Sequence, residues 1–164
     1  MKVYVSTYKK YNEGRLTGAW IEFDDEDELL EKANALHADE PESERELMYQ
    51  DFEDFPRQCY GESGLKSILW DWARLSDYDK DIVATYWQEN SSNDDVRYIL
   101  DHFVGIYDSE EEYAQEQIEI QGVFDKHPNL ACYFDYKAYA ANELSNNDML
   151  LTNSENRKLY VFSH

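Results

Sequence analysis

GAWIEFDDEDELLEKA, residues 18–33, is the stretch that decides the fold. Its first six residues are mostly apolar and suit a strand, and a run of five carboxylates follows at once. Asp24 or Asp25 can cap a helix, and acidic side chains in the first turn interact favourably with the helix dipole. The stretch therefore predicts a strand at 18–23 and then an acidic helix that ends near His37.

Helical spacing divides this predicted helix into an apolar face and an acidic face. Apolar side chains recur at helical intervals and predict a buried stripe of Leu29, Leu30, Ala33 and Leu36. Carboxylates at positions i, i+3, i+4 and i+7 share the opposite face. These carboxylates are Asp24, Asp27, Glu28 and Glu31.

A weaker version of the same pattern, VGIYDSEEEYA, occupies residues 104–114. Its apolar start predicts a strand, and Ser109-x-x-Glu112 is a capping box that opens a second acidic helix, expected to reach about Lys126. Its predicted apolar stripe is Tyr113, Ile120 and Phe124, and its outward acids are Glu112, Glu116 and Glu119.

The rest of the chain predicts an α+β fold in three small sub-domains. Further β-branched and aromatic runs predict strands at 2–6, 47–52, 149–152 and 158–162. Ser63, Ser76 and Ser92 are candidate caps for three short helices. The expected sub-domains are antiparallel strands plus the acidic helix at 1–61, a helical middle at 62–102, and antiparallel strands plus helices at 103–164.

Composition indicates a folded and strongly acidic protein. With 42% hydrophobic and 15% aromatic residues, the 164-residue chain can bury a core. Thirty-six acidic against fifteen basic residues give a net charge of −21, which repels nucleic acid and attracts a basic groove. No apolar run approaches the ~18 residues of a membrane span, and no signal peptide is visible. Two widely spaced cysteines suit a reducing cytoplasm, which is the expected location.

No catalytic or metal motif stands out, so neither enzyme activity nor a cofactor or metal is expected. The acids come in runs rather than as one pair in a cleft. The run at 24–28 lacks the glycine and final glutamate of a calcium loop. HExxH, GxGxxG and P-loop motifs are absent from the sequence. Cys132 lies in an aromatic stretch and is predicted to be a packed thiol.

From the residues alone the acidic surface has two interpretations. One is a set of solvated helix faces, which is the usual meaning of such charge. The other is DNA mimicry, because duplex DNA carries one charge per ~1.7 Å and 21 charges therefore match ~36 Å of duplex. Carboxylates at i and i+4 also lie ~6 Å apart along a helix axis, comparable to phosphate separations along a strand.

Four segments, in order along the chain, resemble the ArdA antirestriction proteins. They are VYVSTYKKYNEG at 3–14, GAW at 18–20, QDFE at 50–53 and PNLACYFDY at 128–136. The resemblance implies an elongated homodimer that mimics bent B-form DNA and occupies the DNA-binding groove of type I restriction-modification enzymes. It also implies three sub-domains, a dimer contact in the last one, and carriage on mobile genetic elements.

These arguments select two sets of candidate residues. The carboxylates expected to replace phosphates are Asp24, Asp25, Asp27, Glu28, Glu31, Asp108, Glu110, Glu111, Glu112, Glu116 and Glu119. The residues expected in or beside the dimer contact are Leu130, Tyr133, Phe134 and Tyr136. The alternative function is an acidic adaptor for another basic DNA-binding protein, which would not displace duplex from a type I enzyme.

Overall fold

The first strand, β1 (Lys2–Thr7), forms the centre of a three-stranded sheet in the computed structural model. β2 (Ala19–Glu22) and β3 (Leu47–Glu53) pair antiparallel with its two edges. Val3 and Val5 are fully buried, as the alternation of residues along a strand requires when one face covers a core. The three strands predicted here are confirmed to within one residue at each end.

The structure describes residues 1–15, 17–89, 94–142, 144 and 148–163. The chain divides into two compact units, residues 1–80 and 81–164. The α+β class is confirmed by two small antiparallel sheets and several helices, whereas the arrangement in three sub-domains stays a prediction. Within the described ranges, no helix is both long enough and apolar enough to cross a membrane.

Four helices accompany the first sheet or begin in its unit. They are α1 (Tyr8–Asn12), α2 (Glu26–Leu36), α3 (Ile68–Ala73) and α4 (Asp77–Glu89). Of the apolar stripe predicted for α2, Leu29 and Ala33 are buried. Leu30 and Leu36 were wrongly included, since they are 39% and 40% exposed. The buried face of α2 therefore contains two of the four residues that the sequence pattern predicted.

The caps predicted for the helical middle differ in outcome. Ser76 does cap α4, because its hydroxyl oxygen accepts the backbone N–H of Asp79 at 3.2 Å. Ser63 does not open a helix; its hydroxyl lies 2.9 Å from that of Tyr8, and α3 starts only at Ile68. Ser92 lies outside the described residues, and α5 (Val96–Asp101) is capped by Asp95, whose carboxylate accepts the N–H of Tyr98 at 2.7 Å.

The second unit is built on another antiparallel sheet. Its strands are β4 (Phe103–Tyr107), β5 (Asp148–Thr152) and β6 (Leu159–Ser163), in the order β4-β6-β5. This confirms the predicted strands within one residue. α6 (Glu110–Ile120) and α7 (Tyr136–Asn142) share a buried cluster with β6, in which Tyr113, Ala140 and Val161 are at most 2% exposed.

α6 is shorter than predicted and buries different residues. It ends at Ile120 rather than Lys126, and Gly122 follows in the left-handed region with φ of 63°. Ile120 was expected in the core but is 71% exposed, whereas Ala114 and Ile118 are buried beside Tyr113. Of the predicted stripe, Tyr113 is confirmed as buried, Ile120 is not, and Phe124 is half-buried beyond the end of the helix.

A buried polar cluster fastens α1 to the segment that follows α2. The ammonium of Lys10 lies 2.7 Å from the Asp39 carboxylate, 3.0 Å from His37 Nδ1 and 3.7 Å from Glu40 Oε1. Thr7 donates its hydroxyl to Glu40 at 2.7 Å. Lys10, His37 and Glu40 are each at most 6% exposed. An ammonium has no acceptor, so this geometry requires an unprotonated His37 Nδ1.

The cluster predicts a pH dependence of stability. Burial, and then the Lys10 charge, lower the pKa of His37. The folded chain therefore binds fewer protons at His37 than the unfolded chain, whose histidine titrates near ~6.5. We expect the free energy of unfolding to decrease as pH falls from about 7.5 to about 5.5, by at most about 1.4 kcal/mol per pH unit for this one proton.

Denaturant titrations across that range check this expectation. His37→Gln should flatten the pH dependence relative to the wild type, and His127→Gln, which replaces an exposed histidine, should leave it unchanged. Parallel curves for the wild type and His37→Gln would contradict the prediction.

Candidate carboxylate display

The start of α2 is held by two hydrogen bonds that run in opposite directions. Asp25 is the N-cap, and its carboxylate accepts the backbone N–H of Glu28 at 2.9 Å. The Glu28 carboxylate in turn accepts the N–H of Asp24 at 2.8 Å. This is a capping box in which the return bond reaches one residue before the cap. The acidic first turn is therefore fixed by its own side chains.

The start of α6 repeats this arrangement. Ser109 is the N-cap and accepts the N–H of Glu112 at 3.1 Å, and the Glu112 carboxylate accepts the N–H of Asp108 at 2.5 Å. As in α2, the carboxylate of the third helical residue accepts the N–H of the residue before the cap. The similarity that the sequence suggested between residues 18–33 and 104–114 thus extends to the same hydrogen bonds.

Most of the carboxylates predicted on α2 point to solvent. Asp24, Asp25, Asp27 and Glu31 are exposed, and we call these four together with Glu28 the α2 display. Glu28 is half-buried and forms an ion pair with Lys32 at 2.8 Å. Lys32, followed by the N–H of Asp24, lowers the pKa of Glu28. Glu28 thus stabilises the start of the helix, and its charge is partly neutralised by Lys32.

The carboxylates predicted on α6 are all exposed. We call Asp108, Glu110, Glu111, Glu112, Glu116 and Glu119 the α6 display. Asp108 forms an ion pair with Lys158. Burial, and then a hydrogen bond to Glu116, raise the pKa of Tyr107, so the Tyr107 hydroxyl stays a donor to that carboxylate. The α6 display is therefore anchored at three points, namely Asp108, Glu112 and Glu116.

Two further acids adjoin the α2 display. Glu26 and Asp71 line an open groove of about 500 Å³ together with Asp24, Asp25 and Asp27. Glu26 belongs to the same acidic run but is not among the carboxylates predicted from the sequence. Asp71 comes from α3, more than forty residues later, and no local pattern connects it to α2.

The residues predicted at a dimer contact divide into two pairs. Tyr133 and Leu130 are 83% and 48% exposed on a 3₁₀ helix, Pro128–Tyr133. Phe134 and Tyr136 are half-buried and pack edge to face, 5.0 Å between ring centroids. Part of this segment and the end of α6 line a groove of about 560 Å³.

Other reactive groups lie apart from these surfaces. Cys132 was predicted to be packed but is exposed, and its thiol donates to the carbonyl oxygen of Asn129 at 3.1 Å. Burial raises the pKa of the Cys59 thiol to about 12. In the part of the chain that the structure describes, no group of three or more histidine, cysteine, aspartate or glutamate residues is arranged to hold a metal ion.

These features define an acidic α+β protein whose most distinctive surface chemistry is a pair of carboxylate-rich helix starts. The family model described as antirestriction protein (ArdA) matches residues 3–156. The chain therefore belongs to the ArdA antirestriction family, which confirms the resemblance of the four segments and implies an antirestriction function. Among curated proteins, no match was found.

Because the Glu112 carboxylate accepts the Asp108 N–H, we expect removal of this side chain to lower the free energy of unfolding more than removal of its neighbour Glu111. Glu112→Ala removes the acceptor for the Asp108 N–H and should lower the free energy of unfolding by about 0.5–2 kcal/mol. Glu112→Gln keeps an acceptor oxygen and should recover most of that loss.

Glu111→Ala is the matched control, because Glu111 is exposed in the same turn. Its effect should stay within about 0.5 kcal/mol. Equal losses for Glu111→Ala and Glu112→Ala in chemical denaturation would contradict the assigned role of Glu112.

Proposed function

We propose that the chain blocks restriction by acting as a mimic of B-form DNA in the cytoplasm. In this proposal the α2 and α6 displays take the place of phosphates in the DNA-binding groove of a type I restriction-modification enzyme. The partners of the carboxylates are the lysine and arginine side chains with which the enzyme holds DNA. No bond is made or broken, and inhibition follows from competition for one site.

The observation that carries the proposal is the self-capped start of each acidic helix. Backbone N–H groups hold the carboxylates of Asp25 and Glu28 in α2 and of Glu112 in α6, so part of each display is ordered at a helix start. A surface that is already ordered loses less conformational entropy on binding than a flexible one. This favours a surface built for a partner over a solvated face that only confers solubility.

The distribution of charge supports the same proposal. Residues 1–80 contain 20 acids and 10 bases, and residues 81–164 contain 16 acids and 5 bases. Both compact units are therefore strongly negative, as a substitute for a long polyanion requires. A short acidic tail that binds a small basic site would need the excess in one segment only.

Long-range attraction should govern how the inhibitor meets the enzyme. Opposite electrostatic potentials on the two proteins accelerate their association. This attraction weakens as the salt concentration rises, because the Debye length, about 10 Å at 0.1 M, becomes shorter. Since many carboxylates share the contact, we expect a single neutralisation to change affinity little. A combined change should have a clear effect.

The combined change is Asp24→Asn, Asp27→Asn and Glu31→Gln, which avoids the two capping residues of α2. We expect weaker binding to a type I enzyme, by about 10-fold or more at low salt, and a shallower dependence on salt concentration. The measurement is displacement of a labelled duplex from the enzyme at several salt concentrations.

The matched control neutralises three exposed acids of the same unit outside the display. Glu42→Gln, Glu44→Gln and Glu62→Gln change the net charge by the same amount. An equal loss of affinity for the enzyme in both triple variants would show that binding depends on total charge and not on the position of the carboxylates. Failure of the unchanged protein to displace duplex would instead favour an acidic adaptor.

We also propose that the chain is a homodimer and that Leu130, Tyr133, Phe134 and Tyr136 lie in or beside the contact. The exposure of Tyr133 and Leu130 supports this, because large apolar side chains exposed together often mark an interface. Ile120 and Val123, which precede this segment in the sequence, are also exposed, by 71% and 50%.

Sedimentation at micromolar concentration tests the dimer. The wild type should sediment as a dimer, and Tyr133→Glu should shift it toward monomer because it places a charge in an apolar contact. Tyr78→Glu, at another tyrosine that is 59% exposed, should leave the dimer intact. A wild type that is only monomeric would refute the proposal.

A further inference from the structure

The first sheet has a face that the core does not cover. On this face Tyr4 of β1 lies between Trp20 of β2 and Asp51 of β3. Lys2 of β1 lies between Glu22 of β2 and Glu53 of β3. Val3 and Val5 point the other way and are fully buried. We call these six residues, Lys2, Tyr4, Trp20, Glu22, Asp51 and Glu53, the Trp20 face.

An aromatic pair stands at the edge of this face in a fixed orientation. Trp20 is 43% exposed, and its ring meets that of Tyr4 edge to face at 5.7 Å between centroids and 80° between planes. Gly18 makes room for the pair, because a Cβ there would clash with the Tyr4 ring and lie 2.6 Å from the Val5 carbonyl oxygen. The indole is therefore held in place while much of its surface meets water.

The charges around the pair are mainly negative. Glu22, Asp51 and Glu53 are exposed, against Lys2 on the same face and Lys32 of α2, whose ammonium donates to the Glu22 carbonyl oxygen at 2.8 Å. Lys2 reaches Glu53 at 3.5 Å with both side chains well exposed, so this ion pair contributes little. Glu22 is two residues beyond Trp20 and shares its side of the strand, which separates the two by ~6.6 Å along the chain.

We propose that the Trp20 face is a second contact surface for the restriction enzyme and that it receives an arginine side chain. A guanidinium stacks on the exposed indole face and directs its N–H groups to the Glu22 carboxylate. Arginine suits this position because its planar, weakly hydrated cation binds aromatic faces and carboxylates at the same time. This inference rests on the proposed function and adds a localised anchor to a distributed display.

Charge complementarity decides between the possible occupants. A second copy would be repelled by the carboxylates of this face, unlike at the apolar contact proposed for the dimer, and duplex DNA is repelled for the same reason. An apolar segment would desolvate Glu22, Asp51 and Glu53 without offering them a new partner, which is costly. A basic protein surface satisfies the indole and the carboxylates together.

The decisive variants are Trp20→Leu and Glu22→Gln, measured by direct binding to a purified type I enzyme at fixed salt. Trp20→Leu removes the aromatic face but stays apolar, and it should weaken binding about 10-fold or more. Glu22→Gln should weaken it by about 3-fold or more, and Trp20→Phe should keep most of the affinity. Tyr11→Leu, at an aromatic residue 50% exposed in the same unit, is the control and should stay within about 2-fold.

Folding and assembly are followed in parallel by circular dichroism and sedimentation. Should Trp20→Leu fail to fold, the comparison of Glu22→Gln with Glu62→Gln decides, and equal affinities would overturn the inference. Unchanged affinity in Trp20→Leu, with loss of inhibition in the α2 triple variant, would overturn the Trp20 face but leave DNA mimicry standing.

Two other results would also overturn the inference. A shift of Trp20→Leu toward monomer would show that a second copy occupies the face. Absence of any competition between the unchanged protein and duplex would remove the proposed function, and the Trp20 face with it.

Discussion

The interaction on which both acidic surfaces depend is a hydrogen bond from a backbone N–H to the carboxylate of the third helical residue. In α2 it joins the Asp24 N–H to Glu28, and in α6 it joins the Asp108 N–H to Glu112. The first N–H groups of a helix lack partners within the helix. The caps Asp25 and Ser109 each accept one of these groups, and the bond from the residue before each cap holds a further carboxylate at the helix start, where negative charge is favourable.

This placement explains how a chain with a net charge of −21 can fold. Like charges repel and oppose folding, and that repulsion is largest where acids cluster. At a helix start the dipole and the free N–H groups offset part of it. Burial of apolar side chains then stabilises each unit. Val3 and Val5 in one sheet and Val161 in the other are fully buried.

Local features of the fold were predictable and tertiary ones were not. Caps depend on residues three positions apart, so the sequence predicted the cap at Ser109 and narrowed the cap of α2 to Asp24 or Asp25, of which the structure has Asp25. The buried face of a helix depends on what packs against it, and this is why Leu30 and Ile120 were placed in the core and are exposed. Asp71 joins the α2 groove through a contact between segments distant in sequence, for which no local pattern exists.

The same distinction separates the two kinds of contact assigned to the first unit. A distributed display needs only many carboxylates at suitable intervals, and such a pattern is visible as an acidic run with helical spacing. An anchor needs particular neighbours, and the Tyr4–Trp20 pair exists only because β1 and β2 align in one register and Gly18 lacks a side chain. Charge at long range brings many basic surfaces to an acidic protein, whereas a fixed indole beside a carboxylate discriminates among them at short range. A mimic that carries both therefore combines fast encounter with selection of its partner.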